Sequence, residues 1–202
     1  MSAQSPSRRS ITVSDVHPQT GNAVVRWIGR VMLLLMGWRI VGEIPKVPKG
    51  ILIGAPHTTN WDLPLAIAMR FATGLRYSWM MKAEAFREPF GTLWRALGGV
   101  AIDRKAAKDA PSQMADWFNS QDKAFLGITP EGTRSKVERW KTGYLRIAQA
   151  ADVPVIVVGV DGANRELRFD RTFPLTGDIE ADNEAIRDYV RTHYSGWRAA
   201  KG

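Results

Sequence analysis

From Arg39 to about Val160 the chain alternates short apolar runs with helix-length patterns, and this alternation restricts the fold more than any other feature of the sequence. Apolar runs stand at residues 51–55, 77–81, 100–102, 124–128 and 153–160, with helical patterns between them at 63–72, 90–97, 111–119 and 142–151. The succession predicts an α/β layered domain with a largely parallel central sheet flanked by helices. In such sheets functional side chains gather beyond the carboxyl ends of the strands. His57 follows one run, Arg104 another, and Glu131-Gly132-Thr133-Arg134 a third. Residues 161–202 read as irregular connections followed by an amphipathic helix over 183–193.

A length of 202 residues suits one well-packed domain, here expected over 39–202, and is short for two. Residues 1–21 are polar and rich in Ser, Pro and Arg, and are expected to form a disordered leader without a cleaved signal peptide. Lys and Arg number 28 against 20 acidic residues, a formal charge of +8 that favours an anionic partner. An acidic membrane face or a phosphorylated substrate fits. Nucleic acid does not, because no RRM, KH or helix-turn-helix pattern accompanies the charge. The absence of cysteine excludes a disulfide framework and thiol catalysis. The longest apolar runs fall far short of the ~18 residues of a spanning helix.

Residues 22–38 form a separate unit. Val24, Val25, Trp27, Ile28, Val31, Met32, Leu34, Leu35 and Trp38 make a broad apolar arc, with Arg26 and Arg30 one turn apart on the remaining face. The pattern suits an amphipathic helix lying in a membrane interface, and equally a helix docked on the core; the basic charge of the chain favours the membrane.

In Pro56-His57-Thr58-Thr59-Asn60-Trp61-Asp62, a histidine and an aspartate flank a four-residue spacer just after a strand-like run. An imidazole can take a proton from a hydroxyl at working pH, and a carboxylate on its far nitrogen would fix the tautomer. Five residues apart on a regular helix the two would point in different directions, so the pairing needs a turn, which Pro56, Asn60 and Pro64 supply. Asp62 also fits a helix N-cap, and His with Asp fits a metal site, although no HExxH or paired-cysteine spacing accompanies them. Pro130-Glu131-Gly132-Thr133-Arg134-Ser135 offers a Gly turn, a hydroxyl and a guanidinium able to embrace a phosphate, or a simple polar turn. The spacing from Gly127 to Gly132 imitates a phosphate-binding loop, but Thr-Arg replaces its Lys-Ser/Thr, which excludes nucleotide hydrolysis on that pattern. Gly98-Gly99-Val100-Ala101-Ile102-Asp103-Arg104 again ends an apolar strand with a basic residue, and Lys82 follows another. His17 and His193 have no partner pattern.

Together these blocks, over roughly residues 38 to 162 and in the same order, resemble the glycerolipid acyltransferases typified by lysophosphatidic acid acyltransferase. The resemblance implies that His57 and Asp62 are the catalytic pair. It implies that Arg104 contacts the acceptor and that Glu131, Gly132, Thr133 and Arg134 hold its phosphate, with Lys82 as an additional cation. Val153-Pro154-Val155-Ile156-Val157 is similar to the apolar strand near the acyl site, and Trp140-Lys141-Thr142-Gly143 to a smaller signature. Pro56 stands where the family usually has Asn. The expected activity is transfer of a fatty acyl group from an acyl-CoA or acyl carrier protein thioester to a hydroxyl of a lysophospholipid-like acceptor. It would take place at the anionic, cytoplasmic face of a membrane with no metal and no other cofactor. A hydrolase using the same His–Asp pair, and a non-catalytic basic membrane-binding module, remain open as alternatives.

Overall fold

The computed structural model describes residues 11, 13–103, 109–135 and 137–197. Seven strands form a single sheet: β1 (Arg39–Gly42), β2 (Lys49–Ala55), β3 (Ser78–Lys82), β4 (Gly99–Ile102), β5 (Ala124–Ile128), β6 (Val155–Asp161) and β7 (Glu166–Phe173). Their order is β1-β7-β6-β2-β5-β3-β4, and every neighbouring pair is parallel except the β6–β7 hairpin. The expected α/β architecture with a mostly parallel sheet is therefore the one observed.

The central strands bury both faces, which is why they read as unbroken apolar runs. Along β6, Val155 and Val157 enter one core while Ile156, Val158 and Val160 enter the other; along β2, Ile51 and Ile53 oppose Leu52 in the same way. The first core is closed by α4 (Ala110–Asn119), α5 (Gly143–Ala150) and α6 (Ile179–His193), through Met114, Phe118, Leu145, Ile186 and Val190. The second is closed by α1 (Ala23–Met36) and α2 (Asp62–Thr73), through Leu33, Leu65, Ala68 and Met69. A 3-10 turn (Ala83–Phe86) and α3 (Phe90–Leu97) link β3 to β4.

Helix α1 starts where Asn22 accepts a hydrogen bond from the Val25 N–H at 3.1 Å. It stops at Gly37, whose φ of 71° permits the paired bonds Gly37 N–H to Leu34 O and Trp38 N–H to Leu33 O. Gly29 brings α1 against α2 so closely that a Cβ there would lie 2.2 Å from the backbone N of Ala72. The helix is thus docked on the core by one stripe. Its other apolar side chains, among them Trp27 (64% exposed), Leu34 (77%) and Leu35 (82%), face outward. No helix among the described residues is long and apolar enough to cross a membrane.

Two expectations need correction. The leader expected to be disordered as far as residue 21 is tied down over residues 13–20: buried His17 contacts the Pro45 carbonyl at 2.9 Å, and Thr20 N–H and Arg76 N–H bond to Gly74 O and Pro18 O. Residues 1–10 lie outside the described residues. The stretch expected to be irregular after residue 161 contains β7. Its charges disguised it: Leu167 and Phe169 point into the core, while Arg168, Asp170 and Arg171 sit between and after them. Buried Glu166 pairs with Arg39 at 2.6 Å and Arg168 at 2.5 Å, joining β7 to β1, a short strand that the apolar pattern does not reveal.

Candidate active site

Strands β2 and β5 are parallel neighbours, so the segments that follow them meet at one edge of the sheet. The chain leaves β2 through Pro56, turns over residues 57–61 and enters α2 at Asp62. This turn folds His57 and Asp62 together, with His57 Nδ1 2.8 Å from Asp62 Oδ2. The carboxylate stands close to the ring nitrogen but off the line of its N–H. With Nδ1 turned to Asp62, Nε2 is the ring nitrogen facing away from the carboxylate. The imidazole keeps 22% of its side-chain surface exposed, against 11% for Asp62.

Asp62 does not cap α2; Trp61 occupies that position without a side-chain bond. The Asp62 carboxylate reaches back into the turn instead. Oδ2 accepts the N–H groups of Thr58 (2.8 Å) and Thr59 (2.9 Å), and Oδ1 accepts the Thr59 hydroxyl at 3.3 Å. Burial, the largest influence, pushes its pKa up; the His57 contact and the Thr59 and Thr58 N–H groups together outweigh it, so the carboxyl lies below its ordinary value. The turn therefore holds an anion beside the ring.

Glu131, expected to face a ligand, is buried instead. Its Oε1 accepts the backbone N–H of His57 at 3.1 Å, while Oε2 is buried without a hydrogen-bond partner among the described residues. Burial raises its pKa, opposed less strongly by its own and the His57 N–H. Gly132, Thr133 and Arg134 are exposed on the same loop, where Thr133 Oγ1 accepts the Ser135 N–H at 3.4 Å. Arg134 pairs with no acidic side chain among the described residues. Lys141 reaches across this loop; a Cβ on Gly132 would lie 2.8 Å from its Nζ, which adds a cation beside Arg134. Lys82 is exposed at the end of β3, two strands from β2 and so about 10 Å away. Arg104 lies outside the described residues. Among the described residues no group of three or more His, Cys, Asp or Glu could hold a metal ion.

Beside His57 a cavity of about 440 Å³ opens between the sheet and α2. It reaches from His57 and Asp62 to Tyr77, just before β3, between walls that include Leu52, Leu65, Met69 and Val158. Tyr77 is buried, donates its hydroxyl to the Ala66 carbonyl at 2.5 Å, and has its pKa pushed up by that burial. The lining of the cavity is predominantly apolar, a surface suited to a hydrocarbon chain. Its walls were not legible beforehand, because their alternation along β2 and β6 is that of any core strand.

No curated protein matches the chain significantly. Among solved structures, the crystal structure of the 1-acyl-sn-glycerophosphate (LPA) acyltransferase PlsC from Thermotoga maritima is similar, with a TM-score of 0.60 at 19% identity, covering 84% of this chain and 76% of that one. At that identity the likeness concerns the fold. A family model described as Acyltransferase matches residues 40–161, the stretch that carries the His57 turn, the Glu131 loop and the cavity between them. The chain belongs to the acyltransferase family.

Proposed function

We propose that this acyltransferase moves a fatty acyl group from an acyl-CoA or acyl carrier protein thioester to a hydroxyl of a lysophosphatidate-like acceptor. One observation carries the reading: a His–Asp contact of 2.8 Å lines a predominantly apolar cavity, held by a loop that also presents Arg134. His57 Nε2 takes the proton of the acceptor hydroxyl as its oxygen attacks the thioester carbonyl. The tetrahedral intermediate collapses with cleavage of the C–S bond, and the imidazolium returns its proton to the departing thiolate. Asp62 keeps the ring oriented and stabilises its charged form. No covalent intermediate on the protein is needed, so the kinetics are sequential.

The remaining parts follow from charge and shape. Arg134, with Lys141 and Lys82 and with Arg104 from the 98–104 block, grips the acidic head group. The acyl chain lies in the cavity under α2. The outward apolar side chains of α1, with Arg30 among them, rest on an anionic membrane surface at its cytoplasmic face and keep the site within reach of lipid.

The test is direct. Purified protein, a long-chain acyl-CoA and lysophosphatidate in mixed micelles should yield phosphatidate and free thiol in equal amounts. His57→Ala should lower the rate by ~10²–10⁴-fold with the fold intact. Thiol release without consumption of the acceptor would instead identify a thioester hydrolase.

A further inference from the structure

We infer that residues 194–197, beyond α6 and outside the matched 40–161, form a strap that holds the His57–Asp62 turn in place, with Trp197 as its positioning residue. The inference rests on the acyl-transfer reading for its kinetic consequences but not for its geometry.

The strap enters the site edge by adding to the sheet. Gly196 N–H bonds to Val160 O at 2.9 Å, and Gly196 bridges Asp161 at the carboxyl end of β6. The fit is close on both sides. A Cβ on Gly196 would fall 2.5 Å from Thr58 Cγ2, and one on Gly162 would fall 1.9 Å from Gly196 O. Thr58 is the residue whose N–H donates to Asp62 Oδ2. One residue further on, Trp197 stacks on Trp61, the neighbour of Asp62, with ring centres 6.3 Å apart and planes 24° apart. The strap thus touches both flanks of the turn that carries the carboxylate.

The far side of Trp197 is anchored. Its ring lies 4.8 Å from that of Trp38, which is buried where α1 passes into β1. The Arg165 guanidinium sits 5.7 Å over Trp197 and 5.9 Å over Trp38. Arg165 has a φ of 55°, a conformation that costs a non-glycine residue energy, and its carbonyl accepts the Arg39 N–H at 3.0 Å. Because the turn aims Nε2 at a reacting hydroxyl, a displacement of about 1 Å is enough to cost as much as 10²-fold in rate.

The experiment uses the full chain and the assay above, with Trp197→Ala, Trp61→Ala, their double variant, Trp197→Phe and His57→Ala side by side. Trp197→Ala should lower kcat by roughly tenfold or more, with KM for either substrate changed by less than about twofold. Trp197→Phe should recover most of the loss. The double variant should be no slower than the worse single one, because both remove the same contact. Wild-type kcat in Trp197→Ala, or losses that multiply in the double variant, would overturn the strap. If the wild-type protein transfers no acyl group, the functional reading fails, and spectra of histidine-labelled protein decide the strap separately. The His57 ring signals should then move in Trp197→Ala, stay in Trp197→Phe, and leave His17 unchanged in both. Unmoved His57 signals in Trp197→Ala overturn it. Melting curves of each variant exclude global unfolding, and should Trp197→Ala fail to fold, Trp61→Ala gives the same kinetic and spectral readings from the other side of the contact.

Discussion

Glu131 Oε1 accepts the backbone N–H of His57 across 3.1 Å, so the loop after β5 holds the turn after β2. This makes Glu131 a support of the His57 turn. Glu131→Gln retains an acceptor for that N–H and should keep most activity, whereas Glu131→Ala should lose about tenfold or more in kcat, in keeping with a buried donor left unpaired. The sign of its pH effect is also fixed. A carboxyl with a raised folded pKa burdens the fold when ionised, so the contribution of Glu131 to stability, read as wild type minus Glu131→Gln, should rise as pH falls through that pKa toward the ordinary carboxylate range. Denaturation of wild type and Glu131→Gln between neutral pH and pH 4 checks this, and equal slopes would count against it.

Asp62 behaves in the opposite way. Its folded pKa lies below the ordinary value, so it contributes stability above about pH 4 and loses that contribution as pH falls through the folded pKa. The stability gap between wild type and Asp62→Asn should be full at pH 7 and shrink in acid. Activity of Asp62→Asn should fall at every pH, because the amide cannot stabilise an imidazolium; a fall confined to acid pH would show a role in folding alone.

Gly54 lines the cavity, and a Cβ there meets nothing within 4 Å, so Gly54→Val places its side chain in the cavity. Strand register pairs Gly54 with Val158, which lines the same cavity. The substitution should lower kcat/KM for long-chain donors by roughly tenfold while sparing short-chain ones, since each misplaced methylene in an apolar pocket is worth about 1–3 kcal/mol. An equal effect on all chain lengths would place the acyl group elsewhere.

Leu34 and Leu35 contribute almost nothing to the core at 77% and 82% exposure. Changing both to Glu should leave the melting temperature within a few degrees and reduce binding to anionic vesicles by tenfold or more, since burying each leucine is worth about 1.5–3 kcal/mol. Undiminished vesicle binding would remove α1 from the membrane contact.

Periodicity revealed what it physically encodes. Strands β2, β5 and β6 were legible because both their faces are buried and their runs are unbroken; β7 was not, since Arg168, Asp170 and Arg171 interrupt its apolar face. The His57–Asp62 pairing was legible because a four-residue spacer containing Asn60, in a segment flanked by Pro56 and Pro64, calls for a turn. The buried position of Glu131 was not, because Glu-Gly-Thr-Arg in sequence looks uniformly solvated, and only the pairing of β2 with β5 turns its first residue inward. Trp197 lay beyond any local pattern: its significance comes from Trp61 and Trp38, far away along the chain.

The space beneath α2 is bounded in part by small residues. Gly54, Gly127 and Ala66 decline to occupy ground that larger residues would claim in an ordinary interior. On the proposed reading, an acyl chain seated there would add packing between the sheet and α2, the two elements that flank His57. Acyl binding would then also stabilise the turn that carries the reacting imidazole, as any ligand of the folded state does.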